Sequence, residues 1–354
     1  MTNGMRAVAI AVVLVGTLVL TTPLWRSSGS ETDAAGVPPP EDAGSGEAAG
    51  PGASADGAAL PPAANAGTQF PPLPSLDVPL RLAVDDLRRR ADAGDASAAC
   101  RLAAEFARCG SLRNQLSHRR SWRERMEGRA GDVREETVDD FVRILAQMDA
   151  DLAQTTTELE HCEGVEAPDA GQRARYWRSA ALGGHPAALR QYAIGNAFRF
   201  EDLMSAVPEL DVYRREAEAI ARRAARAGDP AMIHALALAY LPPHEDAPEN
   251  AQTFTPFLGQ VIQPDAGQAL SWLYALQQHP AVRALPGDHP VRERAERELE
   301  RLTRQQGVEA VAAANARASD WARAWPPSAS EAAELQVFDN GGLMDVSREE
   351  CGPG

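Results

Sequence analysis

The chain contains no lysine. All 35 of its basic residues are arginines, against 50 acidic residues, so the formal net charge is −15 at pH 7. A protein that binds nucleic acid generally needs a basic face to meet the phosphates. The acidic balance therefore argues against a nucleic-acid partner, and it also repels anionic membrane surfaces.

Motifs of catalysis and metal binding are missing as well. No two cysteines have the C-x-x-C spacing of zinc knuckles and thioredoxin-type sites, and no G-x-S-x-G, P-loop or G-x-G-x-x-G string occurs. The clusters His161-Cys162-Glu163 and His244-Glu245-Asp246 lack the i, i+4 spacing that places two ligands on one helix face. We therefore predict no catalytic residue, no metal and no cofactor, and a protein that is not an enzyme.

The longest apolar run stands at the start of the chain. It covers residues 7–20, follows the single charge of Arg6, and continues without charge to Trp25. Residues 1–26 are predicted to be an uncleaved signal anchor, or alternatively a cleaved signal peptide. The anchor makes the protein a single-pass protein of the bacterial inner membrane with a periplasmic domain, and the membrane is then a partner of this helix. Cleavage instead releases the chain into the periplasm.

Composition divides the remainder into three parts. Residues 27–77 are rich in Pro, Ala, Gly and Ser and are predicted to be a disordered linker, because they cannot bury enough apolar area to offset their ordering entropy. Residues 78–328 have apolar positions at helical intervals and no alternating strand runs, which predicts an all-α domain. Residues 329–354 are acidic and glycine-rich, and we expect a mostly disordered tail.

Several helices can be outlined inside the predicted domain. Residues 137–161 contain a continuous apolar stripe. A short helix is predicted over residues 97–109, ending at Gly110, and a second over about residues 114–128. Residues 111–162 are therefore treated as a helical insert.

Internal similarity is the strongest organisational signal. The string Pro-Asp-Ala-Gly-Gln occurs at 168–172 and again at 264–268, which points to a repeat architecture. Turns at Gly94, Gly184 and Gly228 each join a helical segment to an alanine-rich one. Aspartates stand where helix N-caps are expected, at Asp95, Asp169, Asp229 and Asp265.

The middle segment carries a family resemblance. It reads Ala174-x-x-Trp177-x-x-Ala180-Ala181-x-x-Gly184-His185-x-x-Ala188 and ends at Tyr192-Ala193. This resembles the Sel-one-like repeat, a relative of the tetratricopeptide repeat, and the segments around Gly94 and Gly228 share its turn. The resemblance implies a short right-handed α-solenoid of helix-turn-helix pairs that serves as a protein-binding scaffold. The units are irregularly spaced, and the insert 111–162 has no counterpart in that family.

The four cysteines fit an oxidising compartment, where disulfides persist. Cys100 and Cys109 lie nine residues apart on one predicted helix and cannot bridge each other. Cys109 closes one predicted helix and Cys162 closes the third of three successive helices, which brings both to the same side of an up-down-up arrangement. We predict a Cys109–Cys162 disulfide, with a Cys100–Cys162 pairing, or Cys100 and Cys109 both buried as small apolar residues, as alternatives. The states of Cys100 and Cys351 are left open, with a free Cys351 as one candidate.

Two groups of residues are candidates for a binding surface. The aromatics Trp177, Tyr192, Tyr240 and Trp272 are candidates to line a groove for a partner, although core packing between helices explains them as well.

An arginine run forms the second group. The cluster Arg119, Arg120, Arg123 and Arg125 is a candidate basic patch for an anionic partner or lipid headgroup, or simply a solvated helix face balanced by neighbouring glutamates.

These observations together predict a noncatalytic, periplasm-facing helical-repeat scaffold that binds a protein or peptide of the cell envelope. One alternative is a peptidoglycan-related enzyme, or its regulator, with a site in the insert 111–162. A second alternative is a passive structural spacer.

Overall fold

The fold consists of α-helices joined mostly by short turns. The structure, a computed structural model, describes residues 70–134, 137–244, 256–326, 335, 337 and 341–352, and its only β feature there is an isolated bridge between Val337 and Leu343. The prediction of an all-α fold is therefore confirmed. The helices are α1 Leu80–Asp92, α2 Ala96–Glu127, α3 Val138–Glu160, α4 Ala170–Leu182, α5 Pro186–Ala193, α6 Val207–Arg226, α7 Pro230–Ala239, α8 Phe257–Val261, α9 Ala266–Gln278, α10 Pro280–Arg283, α11 Pro290–Gln305 and α12 Val308–Ala324, with 3-10 turns at Ala130–Asp132, Phe200–Ser205 and Glu349–Cys351.

One kind of turn joins the helices of three pairs, α1–α2, α4–α5 and α6–α7. Gly94, Gly184 and Gly228 have φ angles of 89°, 88° and 88°, the left-handed region that glycine enters without a steric penalty. The residue after each glycine donates its amide to a carbonyl five residues earlier, as from Asp95 to Arg90 at 2.9 Å, which closes the helix in a Schellman turn. The predicted glycine turns are therefore present.

Aspartate side chains begin four of the helices. Asp95 accepts hydrogen bonds from the amides of Ser97 and Ala98, and Asp229 accepts one from Met232. Asp169 and Asp265 cap α4 and α9 in the same way. Each carboxylate satisfies amides that have no partner inside the helix, so all four predicted caps are confirmed.

Each helix pair packs on the next pair along the chain. The second helix of each pair lies against the first helix of the next, since α2 contacts α4, α5 contacts α6, and α7 contacts α9. Small residues allow the close approach, because a Cβ added at Gly183 would lie 2.7 Å from the Cβ of Ala96. At the far end, α12 packs on α9, where the rings of Trp272 and Trp321 stack with centroids 4.1 Å apart.

Helix α2 is longer than the sequence indicates. It runs unbroken from Ala96 to Glu127, so the predicted break at Gly110 is wrong. A Cβ on Gly110 would meet nothing within 4 Å. Glycine therefore only weakens the helix there, and α2 continues because its packing against α1, α3 and α4 outweighs that cost.

The insert 111–162 folds as one arm of two helices. We call the part formed by residues 117–127 of α2 and 138–154 of α3 the distal hairpin. The last buried residue of α2 is Leu116, and Thr155 is the one residue of α3 that is buried. Of the predicted apolar stripe of α3, Phe141, Leu145 and Met148 are half-buried, whereas Val138 and Val142 are exposed.

Both disulfides involve α2. Cys109 pairs with Cys162, with Cα atoms 5.8 Å apart, which is the pairing expected from the sequence. The geometry differs, because Cys109 sits inside α2 and Cys162 directly follows α3, so two helices rather than three bring them together. Cys100 pairs with Cys351 at a Cα distance of 5.4 Å, so the two cysteines whose states the sequence left open are joined, and Cys351 is not free.

Residues near both ends of the domain lie against the helices. Arg90 donates to the carbonyls of Pro71 at 2.6 Å and Pro72 at 3.0 Å, so part of the predicted 27–77 linker is docked. Residues 341–352 also pack on the helices, with Leu343, Val346 and Cys351 buried. The expected tail 329–354 is therefore ordered over this stretch, because a disulfide and several side-chain hydrogen bonds offset its ordering entropy.

The location predicted from the N-terminus is not supported. Among the residues that the structure describes, no helix has the length and apolar character needed to span a bilayer. The hydrophobic segment 1–26, on which the single-pass inner-membrane assignment rested, lies outside those residues together with 27–69. We do not retain that assignment.

Candidate functional site

The four aromatics predicted to line a groove lie in the interior. Trp177, Tyr192 and Trp272 are each 1% exposed and Tyr240 is 3% exposed. The groove assignment for these residues is wrong, and core packing accounts for them, because large flat side chains fill the spaces that small alanines leave between helices.

Tyr192 and Tyr240 also form hydrogen bonds through their hydroxyl groups. Tyr192 donates its hydroxyl hydrogen to Glu216 at 2.8 Å, and Tyr240 donates to Glu218. Burial raises the pKa of each phenol well above its ordinary value, so both remain protonated donors. These contacts join α5 and α7 to α6 and are structural.

Two of the four arginines of the predicted basic patch, Arg119 and Arg123, bind other groups within the molecule. Arg119 donates to the carbonyl of Asp151 at 2.7 Å and to the hydroxyl of Thr155 at 2.8 Å, which fastens α2 to α3. Arg123 forms ion pairs with Glu127 and Asp149. Arg120 and Arg125 are exposed. The run therefore does not present four free cations to one anionic ligand.

The site that the structure does assemble is formed by residues 341–352, which we call the C-terminal strap. The strap runs antiparallel to α5. Its start lies beside Asn196 and Arg199, just beyond the end of α5, and its end reaches His185 at the beginning of that helix.

Side-chain amides hold the main chain of the strap. Asn196 donates from Nδ2 to the carbonyl of Leu343 at 2.9 Å. The amide of Val346 donates to Oε1 of Gln191 at 2.9 Å, and Gln191 itself is 1% exposed. These contacts involve backbone atoms only, so they place no demand on the side chains of the bound segment.

One acidic side chain of the strap is held more specifically. Asp345 accepts a hydrogen bond from Nε2 of Gln191 at 3.0 Å, and its other oxygen pairs with Arg199 at 2.6 Å. A carboxylate that receives both a neutral and a charged donor is distinguished from a neutral side chain of similar size.

The far end of the strap is fixed by charge, by a histidine and by the disulfide. Glu350 pairs with Arg190 at 2.9 Å. Nε2 of His185 lies 3.2 Å from the carbonyl of Gly352, and burial lowers the pKa of this imidazole. A neutral ring with its proton on Nε2 donates to that carbonyl. Between these two contacts, Cys351 is covalently joined to Cys100 of α2.

A buried ionic cluster ties the strap to the first helices. Glu105 is fully buried and receives Arg101 at 2.6 Å on Oε1 and His161 at 3.0 Å on Oε2. Arg348 of the strap approaches the same carboxylate at 3.3 Å and also donates to the carbonyl of Leu76 at 3.2 Å. A charge this deeply buried is stable only when it is paired, so the strap contributes to satisfying the core.

Two open cavities flank the strap. The first has a volume of about 900 Å³ and lies beside the turns at Gly184 and Gly228, with Leu343 and Val346 of the strap on its wall. The second, of about 850 Å³, continues beyond Leu343. Its lining combines aromatic rings with polar groups, namely Phe198, Phe200, Phe257, Asn114, Arg173 and Arg199.

Exposed apolar surface marks the second cavity. Phe200, which lines this cavity, is 88% exposed, and Met204 of the same 3-10 turn, which is not part of the lining, is equally exposed. Exposed aromatic and methionine side chains are frequent in protein interfaces. The strap therefore lies between two open cavities, and the second of them has an exposed aromatic ring in its lining.

No family model, curated protein or solved structure matches this chain. Within the described part of the chain, no group of three or more His, Cys, Asp or Glu side chains is arranged to hold a metal ion. The strap is thus held by hydrogen bonds to its backbone, by the ion pairs of Asp345, Arg348 and Glu350, and by a disulfide, with apolar surface beside it.

Sequence reasoning missed Gln191, Asn196 and Arg199. They lie in and just after the segment that carries the repeat resemblance, but no local pattern separates them from surface polar residues. The signal that was available is Cys351, since an even number of cysteines in an oxidising compartment favours complete pairing.

Proposed function

We propose that the protein is a noncatalytic helical-repeat scaffold that binds an extended segment of another protein along α5. In this proposal the C-terminal strap is a resident ligand, which occupies the site in the absence of the partner.

The helix order supports a short right-handed solenoid of Sel-one-like units. Three helix pairs share the same glycine turn, and each pair is packed on the next through its second helix. A stack that grows in one direction buries a continuous core and leaves a long concave surface, which is how such repeats bind partners.

The observation that carries the proposal is the recognition of the strap's backbone. Gln191 and Asn196 contact main-chain atoms of Val346 and Leu343, while Arg199 and Gln191 select the carboxylate of Asp345. Backbone contacts supply affinity for any extended chain, and the charge pair supplies the preference for an acidic residue. The expected partner segment is therefore extended, with an acidic residue between apolar ones.

Because the strap belongs to the same chain, it determines how tightly a partner must bind in order to displace it. A segment on the same chain competes at an effective concentration in the millimolar range, and the Cys100–Cys351 disulfide holds it further. The partner consequently gains access only when it binds more tightly than the strap, or when it also uses the open cavity beyond Leu343.

The two disulfides support an oxidising environment as the place of folding. In reducing compartments such bonds are rare, and this chain has all four cysteines paired.

The test uses a full-length chain whose own strap is weakened by Cys100→Ser, Cys351→Ser and Asp345→Arg. A fluorescent peptide of residues 341–352, with serine at position 351, is titrated into it. We expect saturable binding, and at least about tenfold weaker binding of the same peptide with Asp345→Arg, because a hydrogen-bonded charge contributes roughly 1.5–3 kcal/mol.

The matched control reverses the charge in the host. A host that carries Arg199→Asp, with Asp345→Ala in place of Asp345→Arg so that its own strap cannot pair with the new aspartate, is expected to prefer the Asp345→Arg peptide. Asn196→Leu, which removes only a contact with the backbone of Leu343, should weaken both peptides alike. Hydrogen exchange at residues 341–352 verifies that the strap has left. A freed strap together with no binding of the peptide contradicts the proposal.

That last outcome supports the second candidate, a passive structural spacer. The observation in its favour is the integration of the strap into the core through Cys351 and Arg348. A spacer needs the strap for stability and has no use for an exchangeable ligand.

A further inference from the structure

The distal hairpin covers few of its own apolar residues. Helix α3 has 23 residues, of which Thr155 is the one that is buried. Trp122 of α2 is 49% exposed, and on α3 Ile144 is 44%, Val138 40% and Val142 57% exposed. A helix that packs chiefly on one neighbour covers only the narrow seam that faces it, so apolar residues on either side of that seam remain exposed in this arm.

The exposed residues fall on two sides of the hairpin. Phe141, Leu145 and Met148 are half-buried and mark the side of α3 that faces α2. Because a helix turns by about 100° per residue, Ile144 lies on one flank of that side, together with Trp122 of the antiparallel α2. Val138 and Val142 lie on the opposite flank. The flank with Trp122 and Ile144 offers the larger side chains.

The charges of the two helices are opposite. Residues 117–127 of α2 contain four arginines and two glutamates, and residues 138–154 of α3 contain four aspartates and one arginine. One helix of the arm is thus basic and the other acidic. Within the arm, Arg123 is already paired with Glu127 and Asp149, and Arg143 with Asp140. A two-fold axis that lays α2 of one hairpin over α3 of another brings the remaining charges, such as those of Arg125 and Asp151, together twice.

We propose that the distal hairpin is a self-association surface, on which a second copy of this chain docks through the Trp122 and Ile144 flank. The product is a four-helix bundle built from two identical arms. Such bundles bury a shared apolar seam between antiparallel helices, and a tryptophan near the centre of an interface is a frequent binding determinant.

Charge selects the second copy over an unrelated partner. A purely basic or purely acidic partner is repelled by one of the two helices, whereas an identical hairpin is attracted by both. The body that carries the strap lies beyond Leu116 and Thr155, so association through the arm leaves the proposed peptide site free.

The experiment places a photo-reactive benzoylphenylalanine at position 144 of the full-length chain and analyses the irradiated product by mass spectrometry. We expect a cross-linked dimer whose cross-links map to α2 of the second copy. Cross-links on the hairpin distinguish this association from any that involves other parts of the chain. The same probe at Val142, on the opposite flank, is expected to give no dimer.

A second measurement uses the Trp122→Glu variant in sedimentation velocity over a concentration series. We expect its dimer to dissociate with a Kd raised about tenfold or more. Circular dichroism checks that the variant is folded, which is expected for a half-exposed position. A monomeric wild-type chain, a dimer that Trp122→Glu leaves unchanged, or cross-links to a different protein would each overturn the proposal.

Discussion

Helix α3 contains more large aliphatic residues than helix α4, yet α4 buries a far greater share of its residues. Six of the 13 residues of α4 are buried, against one of the 23 residues of α3. Helix α4 is surrounded by α2, α5 and α6, whereas α3 packs chiefly on α2. The difference teaches that burial depends on how many neighbours a helix has, and that an amphipathic pattern alone does not determine it.

The largest expected contrast is between two tryptophans. Trp177 of α4 is 1% exposed and Trp122 of the distal hairpin is 49% exposed. Trp177→Ala should lower the free energy of unfolding by about 3–5 kcal/mol, because it leaves a cavity in the core. Trp122→Ala should change it by no more than about 0.5 kcal/mol. Urea denaturation measures both, and equal losses would refute the comparison.

The Cys109–Cys162 disulfide at the base of the distal hairpin is expected to contribute nearly as much to the free energy of unfolding as the side chain of Trp177. Cys109→Ser with Cys162→Ser removes a constraint between residues 53 positions apart. In the chain-entropy picture this lowers the free energy of unfolding by about 4 kcal/mol. Hydrogen exchange should rise in α3 and stay unchanged in α9. The Cys100→Ser, Cys351→Ser variant serves as the comparison, since it should loosen the strap instead.

A buried histidine should make the body sensitive to acid. His234 of α7 is 1% exposed, neither ring nitrogen has a hydrogen-bond partner among the described residues, and burial lowers its pKa from 6.5 to about 4. The unfolded chain therefore takes up a proton below pH 6.5 that the folded chain refuses until about pH 4. Stability should fall as the pH drops through this window, by up to about 3 kcal/mol.

His234→Leu is expected to flatten that part of the stability profile, measured as the midpoint of urea denaturation between pH 7 and pH 4. His118→Leu is the matched control, because His118 lies exposed on the distal hairpin. An unchanged acid slope in His234→Leu would assign the sensitivity to other groups.

The smallest expected effect concerns the glycine inside α2. Gly110→Ala should raise the free energy of unfolding by up to about 1 kcal/mol, because the added methyl has open space and alanine is the better helix former. Ala107→Gly, one turn earlier, should lower it by a similar amount. Thermal melts of the pair decide the point. A loss of stability in Gly110→Ala would mean that the glycine is required.

Much of the local structure could be predicted. The turns at Gly94, Gly184 and Gly228 and the caps at Asp95 and Asp229 follow from residue chemistry over a few positions. The helix break expected at Gly110 is absent, because packing along the whole of α2 outweighs the local destabilisation of about 1 kcal/mol that glycine causes.

The site could not be predicted in the same way. Gln191, Asn196 and Arg199 form a site only because residues 343–346 contact them. The two segments are about 150 residues apart in the chain. The aromatics predicted to line a groove, Trp177 and Tyr192 among them, are of residue types that are common in binding surfaces, but they lie in the core.

Sequence by itself determined the helical class, the glycine turns and the N-caps, because each rests on contacts within a helix or a turn. It also indicated the Cys109–Cys162 pairing, although through an arrangement of three helices that the structure replaces with two. Tertiary structure alone decided that Cys351 returns to Cys100, that the strap lies along α5, and that the distal hairpin remains half-covered. Those outcomes depend on which surfaces meet after the chain has folded back across about 250 residues. Local propensity carries no information about such long-range contacts, because loop-closure entropy changes only slowly with chain length and leaves many pairings open.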